Sequence, residues 1–167
     1  CRVADTAVQV HGGMGYIEET GVAQYLRDVR ITPIYEGTNG IQAMDLVGRK
    51  MMDGGTAAQA MLDEIMDAAR DHSQLCPTRV EAIWKAAQTL SEVTARLVEM
   101  DMDDRNAGAV PFLSAFARVL GAYYHLKAAA AGGENERLLA RIYVDRILPR
   151  YRSDLIEAEV GAADLAA

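Results

Sequence analysis

The residue of this chain best placed to do chemistry is a carboxylate standing alone at the threshold of a helix. In "TPIYEGTNGIQAMDL", residues 32 to 46, Glu36 lies between a β-favouring run and a Gly-Thr turn, and an apolar helical pattern starts just after it. Such a carboxylate could be a cap, an ion-pair partner or a base. As a first-turn charge it would stabilise the following helix by about 0.3–1 kcal/mol. A second stretch, "HGGMGYIEETG", carries four glycines in eleven residues. A glycine-rich turn can cradle a dinucleotide, but G-x-G-x-x-G needs glycine where Glu18 stands, and the segment follows a helix rather than a strand. The plainer reading is a helix-to-helix turn in which glycines supply positive φ. Arg27, Asp28 and Arg30 fit a partly buried ion-pair cluster near a helix end. His72 and Cys76 are four apart and could face the same way on a helix, but no second ligand pair accompanies them. His11 and His125 fit structural histidines, and Met61, Met66, Met100 and Met102 fit core fillers.

The elements that must position these residues are almost all helical. The pattern predicts a first helix over 2–11, a second over 20–30, an extended "TPIYEG" connector (Pro33 disfavours a helical residue before it) and a third helix to Met52 capped by Thr38 or Asn39. "DGGTAAQ" at 53–59 is the candidate boundary, with Gly54-Gly55 stopping one helix and Thr56 capping the next. Four helices follow, over 57–73, 78–102, 110–131 and 134–148. Their expected inner faces are Val80, Ile83, Trp84, Ala87, Leu90, Thr94 and Leu97 in the second; Leu113, Phe116, Leu120, Tyr123 and Tyr124 in the third; and Leu138, Ile142 and Ile147 in the fourth. Trp84 is expected to be largely buried. "DDRNAG" and "AGGENE" read as short breaks between antiparallel neighbours, and "ILPR" precedes a last short helix. The fold class is all-α, a helical bundle.

Composition narrows the function. A net charge of −7 over 167 residues argues against a nucleic-acid surface. Residues 1–52 are nearly balanced, with 5 basic and 6 acidic side chains, whereas 53–167 carry 12 and 18, spread over helix faces. Two cysteines without a C-x-x-C pair suit a reducing compartment, here the cytoplasm. No run of the sequence approaches a membrane span. The opening "CRVADTAVQV" reads as mid-helix, so the chain is expected to be a piece of a longer one.

The linked motifs Q-x-x-G-G-x-G-Y, R-D and I-Y-E-G-T, taken in order across about residues 1–50, resemble the last catalytic helices of the flavin-dependent acyl-CoA dehydrogenases. The resemblance implies residues 1–52 as a partial C-terminal helical domain and 53–167 as an additional C-terminal bundle of a longer branch. It implies α,β-dehydrogenation of an acyl-CoA thioester, the chemistry of fatty-acid β-oxidation. Glu36 then matches the base that takes the α-proton while the β-hydride passes to FAD. In the family the thioester oxygen is held by the glutamate's backbone N–H and a flavin hydroxyl. Tyr35 and Gly37 flank the substrate. Thr38, Asn39 and Gly40 match FAD-contacting positions, and any contact at Gly40 must come from backbone. Gln9, Val10, His11, Gly12 and Gly13 match the turn that reaches the FAD of a neighbouring subunit, which implies a homo-oligomer. An electron-transferring flavoprotein would accept the electrons. The alternative is a non-catalytic packing or oligomerisation module. Without the β-domain and N-terminal helices of the family, the chain by itself is expected to be inactive and flavin-free. Glu36 is expected near an open surface, and apolar surface on 1–52 is expected to need a symmetric partner.

Overall fold

The computed structural model describes residues 1–165, apart from the side chain of Asp164. Every regular element among the described residues is helical. Contacts divide the chain into two compact units, Cys1–Gln42 and Ala43–Ala167, with the division falling inside a helix. Among the described residues, no helix is long and apolar enough to cross a membrane.

In the first unit, α1 (Arg2–His11) packs on α3 (Val22–Val29), and α2 (Gly13–Tyr16) is a single helical turn between them. The two longer helices run antiparallel, since the thiol of Cys1 reaches the carbonyl of Val29. Gly15 is what lets α2 fold back: a Cβ there would lie 2.2 Å from the Val8 carbonyl oxygen. Thr20 ties the next turn down by donating to the Met14 carbonyl at 2.8 Å. The Arg27 guanidinium makes a bidentate pair with Glu18, at 2.9 Å for each bond. This pair is exposed, not the partly buried cluster its composition suggests, so it adds little stability. Val22 is the one buried hydrophobic residue of this unit, while Val3, Val10, Tyr16 and Tyr25 are each more than two-thirds exposed.

The expected extended connector is instead a run of tight turns. Ile34 and Tyr35 both donate from their backbone N–H to the Ile31 carbonyl, at 2.9 and 3.1 Å. Pro33 restrains only Thr32, and the remaining residues turn back on themselves. The third helix, α4 (Asn39–Val47), is shorter than its pattern implies, followed by a 3₁₀ turn at Arg49–Met51. Thr38 caps it, its hydroxyl accepting from the Ile41 N–H at 3.4 Å.

The second unit is a bundle: α5 (Thr56–Asp71), α6 (Pro77–Leu97), α7 (Met102–Ala107), α8 (Ala109–Ala131), α9 (Glu134–Arg146) and α10 (Tyr151–Ala158). Asp53, not Thr56, caps α5, accepting from the N–H groups of Gly55 and Ala57 at 2.9 Å each. The α6 pattern overruns its helix by five residues. Asp101 accepts from the Asp104 N–H at 3.0 Å and starts α7 where "DDRNAG" reads as a break. Helix α8 is central, touching α5, α6, α9 and α10. Its buried row is Phe112, Ala115, Val119, Ala122, Tyr123 and Leu126, one position round from the expected stripe. Leu113, Phe116 and Leu120 are partly buried against the same core, and Tyr124 is exposed. A helix covered on several sides has no single inner face for a periodicity to find.

On α6 the expected row holds from Val80 to Leu97, with Trp84 packed against the core and partly accessible at its edge. Its indole N–H is inaccessible and lacks a partner among the described residues. Met61, Met66 and Met100 pack on the core as expected, whereas Met102 is exposed. On α9 two of the three expected inner residues, Leu138 and Ile142, are exposed, Ile147 is partly buried, and Val144 makes the buried contact. Long-range ion pairs tie the bundle, Arg79 to Asp145 at 2.8 Å and Arg118 to Asp154 at 2.6 Å.

Candidate active site around Glu36

The turns after α3 deliver Glu36 in a conformation that L-residues avoid. Its φ is +57°, the one positive value at a non-glycine among the described residues. A side chain held there costs about 1–2 kcal/mol relative to the right-handed region. Gly37 follows at φ +99°, so two successive residues sit on the left-handed side. The backbone of this turn is held by the helix after it. The Gln42 amide donates to the Glu36 carbonyl at 2.7 Å, and a Cβ on Gly37 would stand 2.8 Å from the same nitrogen. The Asn39 N–H closes the loop onto the Pro33 carbonyl at 3.3 Å. Glycine at 37 thus permits both the turn and its clamp.

The clamp leaves the chemically useful groups free. Glu36 is exposed, and among the described residues its carboxylate has no hydrogen-bond or ion-pair partner. Its backbone N–H is likewise without a partner there, as are those of Gly37 and Thr38. An unpaired carboxylate beside free N–H donors can take a proton and hold an oxyanion within one short loop. Around it Ile34, Tyr35 and Ile41 are each about half exposed, an apolar rim suited to an acyl chain. This is not a helix-capping glutamate, because Thr38 performs that task.

The other expected segment stands elsewhere. Gln9, Val10, His11, Gly12 and Gly13 form the C-terminal end of α1 and the step into α2, and all are exposed. Val29 meets the opposite end of α1, at Cys1. His11 is spoken for, its Nδ1 bonded to the Ala7 carbonyl at 2.9 Å. Gly12 and Gly13 have open space where a Cβ would be, and Gly40 is nearly as open. Such bare backbone fits the close approach of a flat dinucleotide.

Gln42 is the residue of this turn that the sequence did not announce. Nothing in its type or spacing points to a clamp on a carbonyl six residues back. Elsewhere, His72 ends α5 and Cys76 precedes α6, where its sulfur accepts from Arg79 Nη1 at 3.1 Å. No cluster of three metal-ligating side chains occurs among the described residues. His125 stacks on Tyr143 with ring centroids 4.5 Å apart.

Two family descriptions match the chain: "Acyl-CoA dehydrogenase, C-terminal domain" over residues 1–52 and "Acetyl-CoA dehydrogenase C-terminal like" over 57–167. Among individual relatives, the chain is 41% identical over 159 residues to 3-methylmercaptopropionyl-CoA dehydrogenase of Ruegeria pomeroyi, across 84% of this chain and 26% of the relative. It is 58% identical over 43 residues to a short-chain specific acyl-CoA dehydrogenase of Megasphaera elsdenii, across 26% of this chain and 11% of the relative. It is 44% identical over 54 residues to the human very long-chain specific mitochondrial enzyme, across 32% and 8%. The chain thus spans about a quarter of the Ruegeria pomeroyi protein and less of the others.

Proposed function

The chain belongs to the acyl-CoA dehydrogenase family, in its C-terminal part, and on that premise we propose that it supplies the base and part of the cofactor-binding surface for α,β-dehydrogenation of an acyl-CoA thioester. The observation that carries this reading is the backbone of Glu36: a left-handed glutamate clamped by Gln42, with its carboxylate and N–H both free. Strain of this kind concentrates at functional sites.

Glu36 takes the proton α to the thioester carbonyl. A free glutamate in water is far too weak a base for that proton, so charge must be stabilised on the thioester oxygen as it develops. The Glu36 N–H, unpaired among the described residues, donates to that oxygen. Ile34, Tyr35 and Ile41 exclude water along the acyl chain. Gln9 to Gly13 and Thr38 to Gly40 would hold FAD, through backbone and small side chains. FAD, when bound, supplies the hydride acceptor. Transfer of its electrons to an electron-transferring flavoprotein, and a homo-oligomer in which the Gln9–Gly13 turn serves a neighbour, belong to the same proposal.

For residues 53–167 the proposal is a supporting bundle. Several of its ion pairs tie helices together, such as Arg118 to Asp154 and Arg96 to Glu159. The deciding experiment uses the complete protein. Glu36→Gln should retain bound FAD and its absorbance, yet fail to bleach when acyl-CoA is added without oxygen. Bleaching at the wild-type rate would remove Glu36 from the reaction. FAD added to the 167-residue chain alone should bind weakly, and micromolar binding would show that the cofactor surface lies mostly in this chain.

A further inference from the structure

A cleft of about 430 Å³ opens within the bundle, between the N-terminal part of α6, the end of α8 and the first half of α9. Sites for small organic ligands have volumes of roughly 300–1,000 Å³. Its floor is apolar: Val80, Ile83, Leu126, Ala129 and Val144 line it and are otherwise buried. Leu75 and Leu138 stand at its edge, 38% and 41% exposed.

The charged lining is weighted to one sign. Arg79, Arg137 and Arg141 border the cleft against a single carboxylate, Glu134. Arg79 is fixed by three bonds to Asp145, at 2.8, 2.9 and 3.2 Å, and by its contact with the Cys76 sulfur. The Arg79 guanidinium holds the Asp145 carboxyl below its ordinary range, and Arg141 and Arg146 act in the same direction. One carboxylate therefore faces three guanidiniums. Neither Arg137 nor Arg141 has a hydrogen-bond or ion-pair partner among the described residues. On a chain of net charge −7, two uncommitted guanidiniums over an apolar floor run against the average surface.

We propose that this cleft binds a small amphipathic oxyanion, its apolar chain on the Val80–Ile83–Leu126–Val144 floor and its carboxylate or phosphate head on Arg137 and Arg141. Guanidinium forks match either head, because two parallel N–H bonds meet two oxygens. Each methylene taken from water onto the floor adds to the affinity. An inorganic anion lacks the tail and a neutral alcohol lacks the head, so both should bind less well. This proposal does not rest on the role of Glu36.

Cys76 lines the cleft and is half-buried, which makes its thiol a reporter. With Cys1→Ser removing the other thiol, alkylation of Cys76 by iodoacetamide is followed against octanoate, octyl phosphate, octanol and acetate. Octanoate or octyl phosphate should slow the labelling, half-maximally at a concentration about tenfold or more below that of octanol or acetate. The better of the two identifies the head group. Arg137→Gln with Arg141→Gln should raise that concentration about tenfold without moving the thermal unfolding curve, since both side chains are exposed and unpaired. Equal protection by octanol and octanoate would overturn the proposal. So would indifference to the two arginines, or no protection by either anion. The wild-type comparison stands by itself if the double variant fails to fold.

Discussion

The two units of the chain divide labour in opposite ways. Residues 43–167 bury an ordinary core, with Phe112, Leu90, Ile83 and Leu62 inaccessible and long-range ion pairs joining the helices. Residues 1–42 bury one hydrophobic side chain, Val22, and leave valines, isoleucines and tyrosines in the open. Yet the strained backbone, the free carboxylate and the bare glycine surface all lie in the second of these, the poorly buried unit. A packed core specifies a shape by satisfying every group. A reactive site must leave groups unsatisfied until something binds, so on the proposed function the region that would carry the chemistry is the one whose own contacts are incomplete.

The sharpest way to break this contrast is at Glu36. In the complete protein, Glu36→Gln should lower turnover by about 10²–10⁴-fold, the range of a general base, while urea unfolding of the bundle stays put. A fall in stability with turnover preserved would reverse the assignment of roles. Next in size is the core. Leu90→Ala should cost about 3–5 kcal/mol on unfolding, whereas Val3→Ala, at a residue 86% exposed, should cost less than about 0.5 kcal/mol. Comparable losses at both would mean that the first unit contributes as much packing as the bundle.

Trp84 sharpens the same comparison inside the bundle. Fully buried, its truncation would cost about 3–5 kcal/mol; half-buried beside Arg70, Trp84→Ala should cost about 2 kcal/mol. Gln42→Ala removes the clamp on the Glu36 carbonyl and should cost about 1 kcal/mol at most, with turnover falling more than stability. Rescue by Gln42→Asn is not expected, since the shorter amide falls short of the carbonyl.

The smallest effect is electrostatic. Hydrogen bonding to Arg79 lowers the Asp145 pKa on folding, so the pair's contribution is present above the ordinary aspartate pKa near 4 and is lost as pH falls through the lower folded value. Both partners are more than a third exposed at the side chain, and solvent screens them. Asp145→Asn should therefore change stability by less than about 1 kcal/mol at pH 7, and by less still as the pH falls through the folded Asp145 pKa. A difference that grows on acidification would contradict the sign.

The sequence carried the site further than it carried the packing. Glu36 was legible because I-Y-E-G-T is a local motif, and α6 because one helix with one covered side repeats at one period. The turn that holds Glu36 was misread as extended, since the bonds that close it run from Ile34 and Tyr35 back to Ile31 and from Asn39 to Pro33. Propensity at Pro33 speaks for one neighbour only. Asp53 and Asp101 displaced the expected boundaries because a capping carboxylate acts two to four residues from where it sits.

What the sequence by itself determined is the all-helical class, the helix count within a turn or two, the family and the residue to suspect. Those depend on neighbours within a few positions, whose spacing the chain states outright. Only the tertiary structure decided that α8 is enclosed from several sides, that α9 turns Leu138 and Ile142 outward, and that Gln42 reaches the Glu36 carbonyl. Such outcomes depend on which helices compete for the same buried volume and on which side chain arrives first at an unpaired carbonyl. Both are settled by contacts between distant or differently folded segments, and no periodicity along one segment encodes them.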